Sequence, residues 1–488
     1  MNVQDPPQAG RWRAFSLLAV AYCMTAIDLT IVNVALPTIG LRLHFQQGDL
    51  QWVVTAYALT FGGLLLLGGR AADLLGRRRL FMTGLALFAA ASLACALATS
   101  ETFLIAARGV QGAAAAMVLP AALSMVMSMF SEGAERNKAL GLWGAIGASG
   151  ATIGLLAGGA LTRYAGWQYI FYLNVAVAGA ALLLTPRMVP ESRLDSTRRR
   201  YDVLGAVTVT GGLVALVYAI SRAPSDGWTA TGTLALLAAS AVLLACFAVV
   251  EARAEAPLLP LRLLRLQTLA GSNAVGFLLG ASFYSWIFIG TLYMQQVLGY
   301  SAMKTGLAWL ATSVTGIALA GPAQALVTRA SAKLVMAIGM AAVGGGILWA
   351  TQLPTDGRFW GSLAGPLFVT GAVTWAFIPV SIGALAGVTE RNAGVASGLI
   401  DTSQQIGGAI GIAVASTVAA AHSRVLLGQG RAAAVALTGG FHWALWVSGS
   451  IGLAAIPVAI LLVRRSEIAQ AVAPTVVQRP APTPATGS

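Results

Sequence analysis

The feature that most constrains this chain is the return, from residue 15 to residue 463, of one kind of segment: an apolar run of about 20 residues. That is the length a helix needs to cross the hydrocarbon of a bilayer, where every backbone polar group must be satisfied within the segment or in a closed barrel. Fourteen such runs can be drawn: 15–39, 51–69, 80–99, 103–128, 139–162, 168–186, 203–221, 229–250, 270–297, 305–327, 334–352, 360–387, 395–420 and 441–463. Membrane strands would instead show segments of about ten residues with alternating polarity. Composition agrees with helices in lipid, since only 10% of residues are charged against about 25% in a soluble domain. The reading is an all-α membrane protein with 14 transmembrane helices.

The first run is too long for a cleaved signal peptide and contains an acid, so it reads as a retained span. Cys23, Cys95 and Cys246 all fall in apolar runs, and an odd count there argues against a disulfide framework. His44, His422 and His442 are scattered, so neither a metal site nor a cofactor is expected. An even number of spans puts both termini on one side. With that side cytoplasmic, the inner segments carry 22 Lys and Arg and the outer ones 7, with Arg108 inside a span. This bias satisfies the positive-inside rule. The net charge of +13 is therefore topology and attraction to anionic lipid, and calls for no nucleic acid. Arg outnumbers Lys 27 to 3 and Ala and Gly abound, which reads as a GC-rich bacterial source. The expected location is thus a bacterial cytoplasmic membrane, with both termini cytoplasmic.

Polar residues inside the runs carry the chemistry. In "AIDLTIVNVALP" (26–37), Asp28 lies 15 residues past Arg13 and 14 short of Arg42, near mid-membrane. An acid there costs about 2.5–3.5 kcal/mol on insertion scales and normally faces a bundle interior or wet cavity. It is either an acid that binds and releases a proton or a carboxylate paired with Arg108. "LIAARGVQGAAAAM" (104–117) sets Arg108 and Gln111 on one helical face. The buried guanidinium needs an acid or carbonyls, unless it snorkels to the lipid surface. "ASGLIDTSQQIGGAIG" (396–411) adds a second intramembrane acid, Asp401, with Gln404 and Gln405 beside it. It is either a coupling or substrate acid or one held by local hydrogen bonds.

Two further motifs concern geometry. In "GGRAADLLGRRR" (68–79), Gly69 and Gly76 permit a tight turn, Asp73 can cap or pair, and Arg77 and Arg78 hold the loop inside. A faint copy at 320–339 keeps Gly321 and Arg329 at the same spacing as Gly69 and Arg77, as in transporters built from internal repeats. In "GASGATIGLLAGGAL" (147–161), Gly150, Gly154 and Gly158 are four apart, with Gly159 adjoining, a smooth ridge for close helix packing. No nucleotide-binding loop is present, and "SAMKTG" (301–306) places both halves of a penicillin-recognising signature on one lysine, so no catalytic residues and no enzyme are expected.

Together these motifs resemble the major facilitator superfamily, and within it the fourteen-span drug:proton antiporters. "IDLTIVNVALP" (27–37), "WVVTAYALTFGGLLLLGGRAADLLGRRR" (52–79), "RGVQGAAAA" (108–116), "PLLPLRLLRLQT" (257–268) and "ASGLIDTSQQIGGAIGIAV" (396–414) carry the likeness, which covers about residues 14–465. Three departures stand out. Leu155 replaces the proline of the fifth-span motif, "WQYIFYLNVA" (167–176) lacks an arginine and a proline, and Asp401 and Gln404 stand where Asn and Arg are common.

The resemblance implies the major facilitator fold, two six-helix bundles with two inserted helices. The expected divisions are a cytoplasmic N-terminus (1–14), a first bundle (15–186), a basic loop (187–202), the two added helices (203–250), a linker (251–269), a second bundle (270–463) and a disordered tail (464–488). It implies alternating access and export of amphipathic compounds by a monomer, with protons as counter-substrate. Asp28 is then the first candidate for proton coupling and Asp401 the second. Tyr22, Asn33, Tyr57, Trp286, Tyr293 and Gln405 are candidates for the substrate cavity. The competing readings are a dedicated exporter of one metabolite or self-made antibiotic, an importer of the same fold, and a receptor that no longer transports.

Overall fold

The computed structural model describes residues 8–45, 49–130, 134–189, 202–254, 257, 263–329, 331–388 and 390–464. Among them, 14 helices are long and apolar enough to cross a membrane. They are α1 (Gly10–Arg42), α2 (Trp52–Ala72), α3 (Arg77–Ala96), α4 (Glu101–Met129), α5 (Lys138–Tyr164), α6 (Gln168–Met188) and α7 (Val203–Ala223). There follow α8 (Thr231–Arg253), α9 (Gln267–Val297), α10 (Ala302–Val327), α11 (Ala332–Gln352), α12 (Phe359–Ala384), α13 (Val395–Gly428) and α14 (Ala433–Leu462). The basic loop lies outside the described residues from 190 to 201, as does the tail from 465.

Local chemistry sets the helix ends. Ser100 caps α4 by accepting from the Phe103 N–H at 3.3 Å, and Asp202 caps α7 by accepting from Gly205 at 2.7 Å. Between α2 and α3 the chain turns at Gly76, whose φ of +102° favours a residue without Cβ.

In the first half of the chain, α1 packs on α5 and α6, α2 on α4, and α3 on α4 and α6. In the second half, α9 packs on α13 and α14, and α11 on α12 and α14. The α7–α8 hairpin is a side piece: α8 packs chiefly on α7, and α7 in turn touches α2 and α13. Ser240 of α8 ties the hairpin together by donating to the Gly212 carbonyl at 2.8 Å. Only 11% of α8's apolar window is buried within the protein, so the rest of its surface faces lipid.

Alternating helices define two ends. The near end holds Gly10 and Leu462, and the far end holds Arg42, Trp52, Tyr164 and Ala302. The halves meet along α2·α13, α5·α10 and α1·α9. At the far end they are continuous, because one apolar core runs from Ile31, Val34 and Leu155 of the first half into Phe288, Trp309 and Phe441 of the second. There Gln295 of α9 donates to the Val34 carbonyl of α1 at 2.8 Å. A Cβ placed on Gly306 of α10 would sit 2.5 Å from the Leu155 carbonyl of α5. Toward the near end the first half has a separate core of its own, from Phe15 and Leu18 to Val126 and Trp143. The two halves are thus joined at the far end.

Candidate functional site

The ridge on α5 sets the position of α1. A Cβ on Gly150 would stand 2.8 Å from the Ala26 Cβ, one on Gly154 2.8 Å from the Ile27 carbonyl, and one on Gly158 2.5 Å from the Ile31 carbonyl. Hydrogen side chains let the two backbones touch. Gly159 points the other way, toward the Ala302 carbonyl of α10 at 2.8 Å, so the ridge also helps to close the far end. The helix runs through Leu155 without interruption.

With one face of α1 against α5, Asp28 points into the first half, where it is fully buried. Its carboxylate accepts from Arg108 Nη1 at 2.6 Å, from Asn174 Nδ2 at 2.5 Å and from Gln111 Nε2 at 3.2 Å. Arg108 is 1% exposed, which removes the snorkelling alternative. Its Nε donates to the Val53 carbonyl at 2.9 Å and its Nη1 also to Gln111 Oε1 at 2.7 Å. The guanidinium lies over the Tyr57 ring, 4.3 Å from its centroid. Gln111 Nε2 donates in addition to Ser92 Oγ at 2.8 Å. One acid and one base thus form a compact neutral cluster tied to α1, α2, α3, α4 and α6. Removing both charges from water is costly, and only close pairing with the remaining lone pairs satisfied offsets that cost.

The spacing in the sequence puts Arg108 and Gln111 on one face, and pairing of Asp28 with Arg108 is the alternative it leaves beside a proton-binding acid. Asn174 and Ser92 were not singled out as site residues. A polar amide in the apolar run "WQYIFYLNVA" was a visible signal for Asn174. Serines are too common in membrane helices for Ser92 to have been noticed.

The loop motif works within the same half. Arg77 donates to the Ser124 carbonyl at 3.3 Å and Arg78 to the Val189 carbonyl at 3.2 Å, binding the α2–α3 turn to the near ends of α4 and α6. Gly69 lies against Pro120. Asp73 lies in the last turn of the α2 helix, which continues to Leu75, and its side chain lies outside the described residues.

Asp401, on α13, is in a different state. It is half-buried and, among the described residues, has no hydrogen bond or ion pair. Its charge is within electrostatic reach of the Tyr22 and Tyr284 phenols, one from each half. Tyr22 stacks on Trp143 with ring centroids 4.4 Å apart and planes 5° from parallel. Gln405 lies at the α2·α13 seam, its Cβ 3.1 Å from a Cβ placed on Gly62. The remaining cavity candidates are engaged locally. Asn33 donates to the Leu29 carbonyl of its own helix at 3.0 Å. Tyr57 is sealed under Arg108. Trp286 is fully buried, donating to Thr370 Oγ1 at 3.2 Å and packing edge-on to Trp309. The Tyr293 hydroxyl donates to the Pro354 carbonyl.

The chain is similar in sequence and in fold to known proteins. The family model for the Major Facilitator Superfamily matches residues 18–412. The puromycin resistance protein pur8 of Streptomyces alboniger is 35% identical over 473 residues, covering 95% of this chain and 93% of that protein. The cephamycin export protein CmcT of Amycolatopsis lactamdurans is 38% identical over 414 residues, 83% of this chain and 84% of that one. The multidrug resistance protein Stp of Mycobacterium tuberculosis is 34% identical over 400 residues, 82% of this chain and 74% of that one. Among solved structures, an auto-inhibited peptide transporter of the POT family superposes with a TM-score of 0.67 at 14% identity, covering 96% of this chain and 99% of that one. The nucleoside transporter NupG superposes with a TM-score of 0.65 at 12% identity, over 93% of this chain and 100% of that one. These two likenesses concern the fold alone.

Proposed function

Because the chain belongs to the major facilitator superfamily, whose members are transporters and not enzymes, we propose that it is a proton-driven antiporter exporting amphipathic organic compounds by alternating access. It is an integral multi-pass membrane protein with antibiotic and multidrug export or resistance proteins as relatives. Those relatives support efflux of drug-like compounds. The charge bias of the loops supports a near end in the cytoplasm of a bacterial cell. A far end joined by a shared core is then the state in which an exporter takes up its substrate from inside.

The observation that carries proton coupling is the contrast between the two acids. A switch needs a group whose charge can change without dismantling the structure around it. Asp28 is committed to Arg108, Asn174 and Gln111. Asp401 has no such partner among the described residues and stands near tyrosines of both halves. In this reading, Asp401 exchanges the proton and competes with substrate. The Asp28–Arg108 cluster is the fixed part against which the first half moves as one body. Rocking that half about the seam would alternately expose Asp401 to the two sides.

The test is transport driven by a pH gradient in proteoliposomes, with a panel of lipophilic cations and neutral antibiotics. Wild type should release protons when substrate is added, and Asp401→Asn should abolish that release while still exchanging substrate downhill. Release that persists in Asp401→Asn would refute the assignment of the proton to Asp401. Response to a single compound of the panel would favour a dedicated exporter, the alternative supported by the relative that is a cephamycin export protein.

A further inference from the structure

The two seams between the halves are unlike. Along α2·α13 the helices stay together toward the near end. A Cβ on Gly62 would stand 3.1 Å from the Gln405 Cβ, and one on Gly398 3.1 Å from Leu66 Cδ2. The α7–α8 hairpin lies over this seam and is bonded to both halves. Thr210 of α7 lies on Gly63 of α2. Gln51 Nε2 donates to Ser221 Oγ at 2.9 Å, and Thr417 Oγ1 of α13 donates to the Ile220 carbonyl at 3.3 Å. Leu59 of α2, Val217 of α7 and Ala413 of α13 share one small core.

The α5·α10 seam parts. At the far end, Gly159 of α5 lies against the Ala302 carbonyl and Gly306 of α10 against the Leu155 carbonyl, and both glycines are buried. At about 100° per residue, positions 7, 11 and 18 apart lie on nearly the same face of a helix, so each mating face can be followed toward the near end. On α5 it runs from buried Gly159 through half-buried Thr152 to exposed Gly141. On α10 it runs from buried Gly306 through half-buried Ser313 to Ile317, 66% exposed, and exposed Gln324. Each face loses its cover on the way down, so the two helices splay apart in the near half of the membrane. Among the described residues, a Cβ on Gly141 meets nothing within 4 Å.

The walls of this gap are uncharged, from residue 139 to 162 on α5 and from 305 to 327 on α10. On its outer side α5 exposes Leu142 and Ile153. On its inner side half-buried Tyr22 of α1 lies on Gly147 and stacks on Trp143. Half-buried Asp401 is within electrostatic reach of that phenol. The gap thus leads from lipid to the aromatic pair and the unpartnered acid.

We propose, on the export reading above, that this gap is where the exported compound enters, sideways from the near-side leaflet and not from bulk water. An uncharged wall admits a molecule already dissolved in the leaflet and offers nothing in exchange for the hydration of a strongly polar solute. The compound's apolar body meets Tyr22 and Trp143, and its polar group reaches Asp401. Because α7 holds the other seam to both halves, entry is one-sided.

The test uses the full-length protein in liposomes without a pH gradient. The probe is a photoactivatable amphipathic dye joined directly to a long acyl chain, which keeps it in the membrane, and labelled residues are read by mass spectrometry. In the wild type the probe should label Tyr22 and Trp143, and an excess of the same dye without the chain should suppress that labelling. Ala145→Trp with Ile317→Trp, which narrows the gap from both walls, should lower it about tenfold, equivalent to about 1.4 kcal/mol. Val242→Trp, at an exposed position of α8, should leave it unchanged. Labelling confined to outward residues such as Leu142 and Val242 in the wild type would overturn the proposal. So would labelling of Tyr22 that the free dye does not suppress, which would make the gap a lipid site, or labelling that survives both tryptophans. Entry and antiport fail separately. Labelled Tyr22 without substrate-induced proton release would sink the antiport and keep the entry, and proton release without labelled Tyr22 would do the reverse. The wild-type pattern decides the matter even where a variant fails to fold.

Discussion

The buried charge cluster predicts an asymmetry between its two members. Asp28 and Arg108 are 0% and 1% exposed and 2.6 Å apart. Breaking such a pair from one side costs about 3–5 kcal/mol, because the partner's charge stays buried. The two sides differ in what remains. After Arg108→Leu, the carboxylate keeps Asn174 and Gln111 as donors and can take up a proton to shed its charge. After Asp28→Asn, the guanidinium keeps the Val53 carbonyl, Gln111 Oε1 and a neutral amide oxygen, loses the negative charge that offset its own, and cannot shed that charge. Asp28→Asn should therefore destabilise by the full 3–5 kcal/mol, and Arg108→Leu by about 1–2 kcal/mol less. The double variant should be about as stable as Asp28→Asn alone, the second substitution costing almost nothing further, with a coupling energy of about 2–3 kcal/mol. The assay is reversible unfolding by SDS in mixed micelles, run as a double-mutant cycle. Equal costs for the two single variants, or additive costs in the double, would refute the view that the cluster is a closed neutral pair.

Three further outcomes follow from the geometry. Gly154→Ala pushes a methyl against the Ile27 carbonyl and should cost about 1–3 kcal/mol with loss of transport, while Gly144→Ala, which meets nothing within 4 Å, should leave both unchanged. Gln295→Leu removes the bond to the Val34 carbonyl, worth about 0.5–1.5 kcal/mol, and should raise the far-open population about 2- to 12-fold. Spin labels at Leu41 and Gln296, which line the same far-end cavity from opposite halves, would report this as a longer distance component. Tyr57→Leu takes away the ring beneath Arg108 and should destabilise without changing the substrate profile; a changed profile in the transport panel would return Tyr57 to the binding surface.

Much of the fold is legible in the sequence because the bilayer makes it so. A helix in lipid satisfies its own backbone, so each span is written in about 20 consecutive residues and needs no knowledge of its neighbours. That is why all fourteen runs reappear as helices, with ends shifted by up to five residues, except at the turn between the last two, where each helix runs eight residues further. The resemblance of "IDLTIVNVALP" (27–37) and "RGVQGAAAA" (108–116) to family motifs likewise points to the fold. Charge chemistry was partly legible, since Arg108 and Gln111 share a helical face by spacing alone.

What only the tertiary structure decided is which way each span turns and whom it meets. The glycine ridge of α5 fixes one face of α1 and so sends Asp28 toward Arg108, 80 residues away, and Asn174, 146 away. Nothing local in "AIDLTIVNVALP" states that rotation. The same packing leaves Asp401 without a partner among the described residues, seals Tyr57 and Trp286 inside their own halves, and joins the two halves at the far end. Apolarity is a property of a segment and is read from that segment. Partnership between polar groups is a property of helix rotation and close packing, and it exists only once the helices have met.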